Sequence, residues 1–323
     1  MNDPLRLTLI ANPFASSFSP RRVRVIERAL KSVGVLEVVR TTHRGHATEV
    51  ARKAAENGVD IVCVLAGDGT LNEAAQGVLH TKTALAPLPG GSTNVFARAV
   101  GYSNDAIEAL GELIFAIEQS SFQTIGVGSI NDRVFLFNAG CGLDAEVIAR
   151  VERNAKIKKV AAHSFTLSTA VMTYIKDFDR KKQQMSITLD GNPQGVRMLS
   201  SDPTAFSEAN MVVISNLSPW TYLGQREVVL APTASINNAL TITAIRAINP
   251  AKLFRIAASA LGRHRTVMHH KDIAHCDNVH TAVIEATNVA IPYQVDGDYL
   301  GSTMRAEISY IPEALTVVMP VNE

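Results

Sequence analysis

One stretch constrains the fold of this chain more than any other: an apolar run that ends in glycine and aspartate. Residues 61–65 read Ile-Val-Cys-Val-Leu, a pattern typical of a parallel strand buried on both faces. In the Gly67-Asp68-Gly69 turn that follows, the glycines allow a sharp bend and a close approach of backbone amides to a phosphate. Thr70, with Glu73 three residues later, predicts a helix N-cap and a capping box. The stretch therefore predicts an acid at the strand-to-helix edge where open α/β sheets bind ligands.

The same residue types also occur in strand-to-helix turns that bind nothing. Glycine and aspartate suit such turns for backbone reasons alone, and Glu73 can serve only as a capping residue. The choice between a ligand site and a plain turn therefore depends on the rest of the chain.

The first 120 or so residues alternate apolar runs with helical patterns. Ser19 and Pro20 predict the start of a first helix and Gly34 its end, because serine caps, proline opens and glycine closes helices. The last helix of this region is predicted over 105–118, with Ile107, Leu110, Ile114 and Ile117 facing inward. Strands are predicted at 5–10, 35–39, 61–65 and 85–88. Alternation of this kind predicts an α/β domain with a doubly wound parallel sheet, over residues 1–122.

From about residue 122, strand follows strand. Residues 123–130 and 133–138 predict a hairpin around Asn131-Asp132, since such pairs favour tight turns. Two helices are predicted at about 144–153 and 160–178. Further strands are predicted at 184–189, 195–199, 210–215, 239–245, 281–286, 290–295 and 305–311. We predict an antiparallel, β-rich, sandwich-like second domain over 123–312, with a last strand within 313–323 that returns to the first domain.

Composition excludes several classes of protein. The net charge of +1 over 323 residues argues against a dedicated nucleic-acid binder. The three cysteines, Cys63, Cys141 and Cys276, are widely spaced, which favours a reducing cytoplasm over a disulfide framework. The first residues do not resemble a signal peptide, and no apolar run reaches about 18 residues. We therefore expect a cytoplasmic protein that does not span a membrane.

Six motifs follow one another in a fixed order along the chain. They are Asn12-Pro13, Thr41 ahead of Gly45-His46-Ala47, the Gly67–Glu73 turn, Pro89-Gly90-Gly91-Ser92-Thr93-Asn94-Val95-Phe96-Ala97-Arg98, Asn138-Ala139-Gly140-Cys141-Gly142-Leu143-Asp144-Ala145, and Val295-Asp296-Gly297-Asp298. Together they resemble the bacterial diacylglycerol kinase family of soluble lipid kinases, related to sphingosine kinases, over nearly the whole chain. The Gly-Asp-Gly-Thr turn alone is shared with NAD kinases and phosphofructokinases, so the specificity lies in the ordered set.

The resemblance implies an ATP-dependent transfer of the γ-phosphoryl group to a lipid hydroxyl, by default diacylglycerol to give phosphatidic acid. It implies a first domain like that of NAD kinase and phosphofructokinase that binds the nucleotide, and a sandwich domain that binds the lipid. It also implies catalysis in the cleft between them, with ATP and Mg²⁺ as cofactors. These implications agree with the chemistry, because phosphoryl transfer needs amides and a metal around the phosphates and a carboxylate near the acceptor hydroxyl.

The resemblance also implies a set of site residues. Asp298 stands where most family members have the glutamate that accepts the proton of the lipid hydroxyl, and Asp296 is placed to support it. Asp68 is implied to organise Mg²⁺, directly or through water. The residues implied to bind the nucleotide are Asn12, Pro13, Ser16, Thr41, Gly67, Asp68, Gly69, Thr70, Asn72, Glu73, Gly91, Ser92 and Asn94.

Four positions depart from the family pattern. Ser92 replaces the usual threonine but keeps the hydroxyl, and Asp298 is one methylene shorter than the usual glutamate. Asn238 occupies the position of an aspartate that holds a structural Mg²⁺ in many members, and its neutral amide makes a second-domain metal doubtful. Ala66 replaces the first glycine of the turn, which predicts ordinary strand geometry there.

Other features have two readings each. Basic helical stretches at 156–176 and 252–265 suit either a peripheral membrane contact or a solvated surface. Trp220 and Tyr222 line a lipid entry or pack in the core, and His269, His270 and His275, which lack metal-ligand spacing, are expected at a surface or interface. The oligomeric state stays open, with a homodimer as one candidate.

Two other functions compete with a lipid kinase. The first is a small-molecule kinase of the NAD kinase type. The second is a nucleotide- or lipid-binding regulator that has lost catalysis, a hypothesis motivated by Asp298 and Asn238 in place of the family's residues.

Overall fold

The computed structural model describes residues 4–153, 184–190, 197–198, 206–246, 250–261, 270 and 272–321. The chain forms two compact units, Met1–Gly126 with Pro312–Glu323, and Val127–Ile311. We call them the first and the second unit. Whether these units are domains that fold on their own, with a boundary near residue 122, stays a prediction.

The first unit contains a parallel sheet with helices between its strands. Strands β1 (Arg6–Ala11), β2 (Val35–Arg40), β3 (Ile61–Ala66) and β4 (Ala84–Pro89) pair in parallel in the order β4-β3-β1-β2. The helices are α1 (Pro20–Val33), α2 (His46–Glu56), α3 (Asp68–Val78), α4 (Val95–Ala99) and α5 (Ala106–Glu118). This confirms the predicted α/β class with a parallel sheet.

Local sequence explains how two of these helices begin and end. Proline opens α1 after Ser19, and Gly34 closes it. A Cβ at Gly34 would lie 2.3 Å from the carbonyl oxygen of Leu5, so only glycine fits where α1 meets β2. Helix α5 begins at its N-cap Asp105, whose side chain accepts hydrogen bonds from the amides of residues 107 and 108.

The inward face of α5 differs from the predicted one. Ile107 is 40% exposed, whereas the buried residues of this helix are Ala106, Ala109, Leu110, Leu113, Ala116 and Ile117. The prediction followed the large apolar residues, but alanines occupy half of the buried stripe. Small side chains there let the helix pack closely, and they rotate its buried face by about one residue.

The second unit is built on antiparallel pairs. Its strands are β5 (Phe122–Ile130), β6 (Arg133–Phe135), β7 (Asn138–Gly142), β8 (Met185–Asp190), β9 (Arg197–Met198), β10 (Ala209–Ser215), β11 (Thr221–Leu223), β12 (Arg226–Val228), β13 (Leu240–Arg246), β14 (Ile273–Val279), β15 (Thr281–Ala286), β16 (Ile291–Val295), β17 (Asp298–Thr303) and β18 (Arg305–Val318). Its helices are α6 (Leu143–Arg153) and α7 (Pro250–Ala260). Strands β5 and β18 each continue into the first unit. The predicted β-rich antiparallel region is confirmed.

Several predicted elements of this unit differ in detail. The hairpin at Asn131-Asp132 forms as predicted, and both residues have positive φ angles. The separate strands predicted at 305–311 and 315–319 are one strand, β18, in which Val317 pairs in parallel with Leu85 of β4. Strands β11, β12, β14 and β17 were not predicted, because polar residues and short length hide their alternation. The predicted helix at 160–178 and most of the turn at 190–193 lie outside the described residues.

The structure describes the surroundings of Trp220, Tyr222 and His275. For the first two, the sequence left open a lipid entry or core packing, and the third was expected at a surface or interface. Trp220 packs against a buried cluster that includes Leu143 and Met211, and Tyr222 is buried. His275 is 1% exposed, and its Nδ1 lies 3.0 Å from the hydroxyl of Thr243 on the paired strand. The expected surface position of His275 is therefore wrong, because its register in β14 turns the ring inward. Among the described residues, no helix is both long and apolar enough to cross a bilayer.

Candidate functional site

In the first unit, predicted site residues from the four parallel strands meet at one edge of the sheet. Asn12, Thr41 and Gly67 directly follow β1, β2 and β3, and Gly91 is the second residue after β4. The Asn12 side-chain amide donates to Thr70 Oγ1 at 2.9 Å, and the Thr41 backbone amide donates to the Ala11 carbonyl at 3.0 Å. Carboxyl ends of parallel strands lie at the same edge, so residues far apart in sequence are neighbours here.

Helix α3 begins earlier than the sequence predicts. Its N-cap is Gly67 and its first residue is Asp68, and no side chain caps it. The first helical bond runs from the Leu71 amide to the Gly67 carbonyl at 3.1 Å. The predicted N-cap role of Thr70 and its capping box with Glu73 are therefore wrong. Thr70 is already inside the first turn, where its hydroxyl is available to Asn12.

Asp68 bonds to the start of the next helix, α4. Its Oδ2 accepts from the Val95 amide at 2.9 Å and its Oδ1 from the Phe96 amide at 3.1 Å. The Thr93 hydroxyl donates to Oδ2 at 3.4 Å. Burial raises the pKa of the Asp68 carboxyl above its ordinary value, while these hydrogen bonds act in the opposite direction. Asp68 therefore joins the turn after β3 to the turn after β4.

The two glycine-rich turns touch through their backbones. A Cβ at Gly91 would lie 2.6 Å from the Gly67 Cα, and one at Gly90 would lie 2.8 Å from the Ala66 Cα. No side chain fits at these positions, so glycine is required for the two turns to approach. Ala66 itself belongs to β3, as its predicted strand geometry requires.

Asn94 shapes the second turn from within. Its Oδ1 accepts from the Gly91 amide at 2.7 Å, and its Nδ2 donates to the Gly91 carbonyl at 3.0 Å and to Asn104 Oδ1 at 2.8 Å. Asn94 has a positive φ of 49°, a conformation that asparagine tolerates better than most residues. Ser92 is exposed at the tip of this turn, with its hydroxyl accessible to a ligand.

The remaining predicted nucleotide residues lie around these turns. Asn12 Oδ1 accepts from the Phe14 amide at 2.9 Å, which orders the loop that contains Pro13 and the exposed Ser16. Gly69, the buried Asn72 and the partly buried Glu73 lie along α3. Ser17, Thr93 and Asn104 also belong to this polar cluster but were not predicted. Ser17 donates its hydroxyl to the Gly90 carbonyl at 2.6 Å, a contact that only the folded chain reveals.

In the second unit, Asp296 and Asp298 flank the tight hairpin between β16 and β17. Asp296 and Gly297 have positive φ angles of 46° and 86°, and Asp298 pairs with Val295. The Asp296 carboxylate is buried and accepts from three backbone amides, those of Leu136, Phe137 and Asn138, at 2.7 to 3.1 Å. Asp296 therefore anchors the 136–138 segment, whereas Asp298 is partly exposed at the start of β17.

A second polar cluster lies beside this hairpin. Gln294 Nε2 donates to Asp144 Oδ2 at 2.8 Å and lies 3.3 Å from Asn138 Oδ1. Gln294 Oε1 accepts from the Gly297 amide at 2.9 Å. Burial raises the pKa of Asp144 to about 6, and the bond from Gln294 acts against that rise. Asn138 and Asp144 belong to one of the ordered motifs, but no sequence signal singled out Gln294.

The described residues offer few clustered ligands for a metal ion. None of them form a group of three or more histidine, cysteine, aspartate or glutamate residues that could hold an ion. Asp68 is a single carboxylate at the first turn of α3, which fits Mg²⁺, since this ion is usually held by one or two carboxylates together with substrate phosphates and water. Asn238 lies exposed in a turn, where its backbone amide donates to the Ser235 carbonyl at 2.9 Å. The doubt about a second-domain metal at Asn238 stands.

Sequence comparisons match this chain to known proteins. A family model described as the diacylglycerol kinase catalytic domain matches residues 6–130. The diacylglycerol kinase of Bacillus subtilis (strain 168) is 26% identical over 326 residues, which cover 98% of this chain and 96% of that protein. The diacylglycerol kinase of Staphylococcus aureus (strain JH9) is 29% identical over 154 residues, 46% of this chain and 45% of that protein.

Solved structures share the fold. A crystal structure of a candidate diacylglycerol kinase from Bacillus anthracis strain Sterne superposes with a TM-score of 0.74 at 23% identity, over 97% of this chain and 95% of that one. A second diacylglycerol kinase structure from the same strain has a TM-score of 0.68 at 21% identity, over 97% and 96%. The two-part fold is therefore found in solved structures over nearly the full length of both chains.

Proposed function

We propose that this chain is a diacylglycerol kinase that transfers the γ-phosphoryl group of ATP to diacylglycerol, because a family model described as the diacylglycerol kinase catalytic domain matches residues 6–130 and a relative of that name matches nearly the full length. The products are phosphatidic acid and ADP. The observation that supports this proposal most is the pair of glycine-rich turns that Asp68 joins. The first-turn amides of α3, next to a carboxylate at the carboxyl edge of the sheet, suit a polyphosphate and its metal ion.

The nucleotide is assigned to the first unit. The amides of the Gly67 and Gly91 turns and the hydroxyls of Ser92 and Thr70 surround the proposed phosphate site, with Asn12 and Thr41 beside them. Mg²⁺, when bound, neutralises charge that develops on the phosphates during transfer. Asp68 would hold this ion directly or through water, because its carboxylate lies at the start of α3, beside the proposed phosphate site.

The general base is assigned to Asp298. In the proposed step the lipid hydroxyl oxygen bonds to the γ-phosphorus, its proton passes to the Asp298 carboxylate, and the bond to the β-phosphate oxygen breaks to release ADP. Three things support Asp298: its position matches the family's glutamate, it is partly exposed, and it begins a strand set by a tight turn. Asp296 is assigned a supporting role, because its carboxylate already accepts from three amides.

A single assay tests the proposal against its competitors. Purified protein is incubated with radiolabelled ATP and Mg²⁺ and one of three acceptors: diacylglycerol or a long-chain base in detergent micelles, or NAD in the same buffer. We expect labelled phosphatidic acid. Label on NAD alone indicates a small-molecule kinase, and ATP binding without transfer to any acceptor indicates a regulator; either result contradicts the proposal. Label only on the long-chain base keeps a lipid kinase but changes its acceptor.

A peripheral membrane contact, at the cytoplasmic face, is part of the same proposal. The basic stretch at 156–176 lies outside the described residues. The stretch at 252–265 overlaps α7, on which Arg255 is exposed. Helix α1 also presents a basic surface. Its exposed stripe contains Arg21, Arg24, Arg28 and Lys31, none with a recorded ion-pair partner in the described part of the chain. We propose that this stripe meets anionic lipid headgroups, each basic residue adding about 1 kcal/mol.

Vesicle co-sedimentation tests this contact. The double variant Arg24→Gln/Arg28→Gln is compared with the control Arg52→Gln/Lys53→Gln, whose exposed side chains lie on α2. We expect weaker binding to anionic vesicles in the first variant only, with unchanged activity on micellar lipid. Equal binding by both variants excludes the α1 surface. Sedimentation velocity of the same samples tests the homodimer, which stays a prediction.

A further inference from the structure

A buried chain of hydrogen bonds in the second unit connects α6 to the turn that presents Asp298. It runs from the Asp144 carboxylate through the Gln294 side-chain amide to the backbone amide of Gly297, with donor–acceptor distances of 2.8 and 2.9 Å. Asp144 is 5% exposed and Gln294 is 1% exposed. Gly297 is the residue directly before Asp298, so this chain ends at the backbone of the proposed base.

The neighbouring residues are shaped to admit this chain. A Cβ on Gly140 would lie 1.7 Å from Asp144 Oδ2 and 2.8 Å from Gln294 Nε2, so the strand needs glycine where the carboxylate lies. Asn138 Oδ1 faces the same Gln294 nitrogen at 3.3 Å, while Asn138 Nδ2 donates to the Trp220 carbonyl at 2.8 Å. The Gln294 amide therefore has acceptors on its nitrogen side and a donor on its oxygen side.

At position 144, an ionised aspartate is expected to lower the stability of the folded chain relative to an asparagine of the same shape. Burial raises the pKa of Asp144 to about 6, so at neutral pH the ionised form is held at an energetic disadvantage. An asparagine has the same shape and an oxygen that accepts from Gln294. However, an asparagine can also present its NH₂, whereas an ionised carboxylate only accepts. Asp144 thus fixes the orientation of the Gln294 amide, with the nitrogen toward the carboxylate and the oxygen toward the Gly297 amide.

We infer that Asp144 and Gln294 are positioning residues for Asp298, because Asp144 orients the Gln294 amide and that amide holds the Gly297 turn. A flipped amide would face the Gly297 N–H with its own NH₂ group, and the bond to the turn would be lost. The inference rests on the proposed function, since the role of Asp298 as base comes from it. Neither Asp144 nor Gln294 is assigned any contact with the lipid or the nucleotide.

The other titratable groups on the elements packed against α6 do not replace Asp144. On β7 the group is Cys141, whose pKa is raised by burial and by the nearby Asp144 charge, so its thiol stays protonated. On β16 and β17 and in their turn the groups are Tyr293, Asp296, Asp298 and Tyr299, and β10 has none. On α6 itself Glu146 pairs with Arg150 at 2.7 Å. Asp144 is therefore the carboxylate that bonds to Gln294.

Two variants and a control test the inference. Asp144→Asn and Gln294→Met are compared with Asp277→Asn, a carboxylate in the same unit that accepts from the hydroxyls of Thr233 and Thr241. Hydrogen exchange at the Gly297 amide and steady-state kinetics on micellar diacylglycerol are measured at pH 7.5. We expect both variants to exchange Gly297 about tenfold faster and to lose about tenfold in kcat, as expected for one hydrogen bond, with KM for ATP unchanged.

Stability separates positioning from a purely structural role. Asp144→Asn should unfold at a higher urea concentration than the wild type at pH 7.5 while its kcat falls, because a buried charge is removed. A structural role predicts that stability and kcat fall together. The control Asp277→Asn should leave Gly297 exchange and kcat unchanged.

The conservative variant Gln294→Glu supplies a further signature. A protonated glutamic acid can donate to Asp144 and accept from Gly297, so it reproduces the wild-type bonds only while the pair keeps a proton. We expect the kcat of this variant to fall as pH rises, because the pair then loses its shared proton. The kcat of Asp144→Asn should not show this pH dependence.

Each outcome bears on one of the two proposals. Unchanged Gly297 exchange in Asp144→Asn and Gln294→Met overturns the hydrogen-bonded link, whether or not the enzyme is active. Faster exchange with unchanged kcat overturns the positioning role. If the wild type phosphorylates no lipid, the proposed function fails and with it the role toward Asp298, while the exchange data still decide whether Asp144 holds the turn.

Discussion

Two aspartate–glycine turns of this chain are similar in sequence but differ in structure. Asp68, in Gly67-Asp68-Gly69, is the first residue of helix α3 and accepts hydrogen bonds from the start of α4. Asp296, in Asp296-Gly297-Asp298, has a positive φ of 46° in a hairpin and is 4% exposed. The first acid joins two turns at the ligand edge of a parallel sheet, whereas the second is enclosed by backbone amides.

The difference shows that the element following the turn decides what its acid can do. A helix after the turn keeps the Asp68 carboxylate at the carboxyl edge of the sheet, where it accepts from the first amides of α4. In the hairpin, a strand follows the turn, and the two acids have different surroundings. Asp296 accepts from three buried amides, whereas Asp298 is partly exposed. Substitutions at four acids test this difference.

Replacing the acid at the ligand edge should have the largest effect. In Asp68→Ala we expect kcat to fall about a thousandfold or more, because a metal-positioning carboxylate contributes several kcal/mol to the transition state. The variant should also melt at a lower temperature, since three donors near the start of α4 lose their acceptor. Asp68→Asn serves as control, because it keeps an oxygen toward α4 but no charge. Turnover near that of the wild type in both variants contradicts the assignment.

Replacing the enclosed acid should mainly affect stability. Asp296→Ala leaves three buried amides without their acceptor, and we expect a loss of about 4 kcal/mol in the free energy of unfolding. Urea unfolding followed by circular dichroism measures it. Asp296→Asn, which retains one acceptor oxygen, should lose less. If Asp296→Ala is as stable as the wild type but inactive, Asp296 is a catalytic residue and the comparison fails.

The partly exposed acid of the hairpin should show the opposite behaviour. In Asp298→Asn we expect kcat to fall about a hundredfold, which is the lower range for a general base, with no change in the unfolding midpoint. Isothermal titration with an ATP analogue should give the same affinity as for the wild type. A parallel loss of nucleotide affinity and turnover indicates that Asp298 is not the base.

A third acid extends the comparison through its pH dependence. The folded pKa of Asp144 is raised to about 6, above the unfolded value of about 3.9. The folded state therefore binds the proton more tightly, and stability falls as pH rises from about 4 to about 6 and is constant above. We expect a wild-type loss of about 2 kcal/mol over this window that is absent in Asp144→Asn. Urea unfolding at pH 4.5 to 7.5 measures it, and identical pH profiles for the two proteins contradict the raised pKa.

Much of the fold could be predicted from the sequence because apolar periodicity is a local property. The four parallel strands and the antiparallel second region were predicted, and both are confirmed. The start of α3 was predicted wrongly. Thr70 and Glu73 resemble a capping box, but the helix begins earlier, at the N-cap Gly67, whose carbonyl accepts from the Leu71 amide. The inward face of α5 was also misplaced, since alanine carries little hydrophobic signal but packs well.

The candidate site divides in the same way. Its residues in the first unit were predicted from ordered motifs, and their assembly follows from parallel pairing, which aligns the carboxyl ends of the strands. The bond from Asp68 to α4, the contact of Gly67 with Gly91, and the link from Asp144 through Gln294 have no local signature. Each joins residues more than twenty positions apart, and their spacing along the chain does not predict a contact.

The alternating first region, the strand-rich second region and the residue types that phosphoryl transfer needs follow from the sequence alone. Which of the acids are enclosed and which are accessible follows only from the folded chain, because burial and hydrogen bonding depend on neighbours brought together by folding. Asp68, Asp144, Asp296 and Asp298 are the same chemical group in the sequence. In the folded chain, one caps a neighbouring helix, one bonds to a buried amide, one holds three backbone amides and one is partly exposed to solvent.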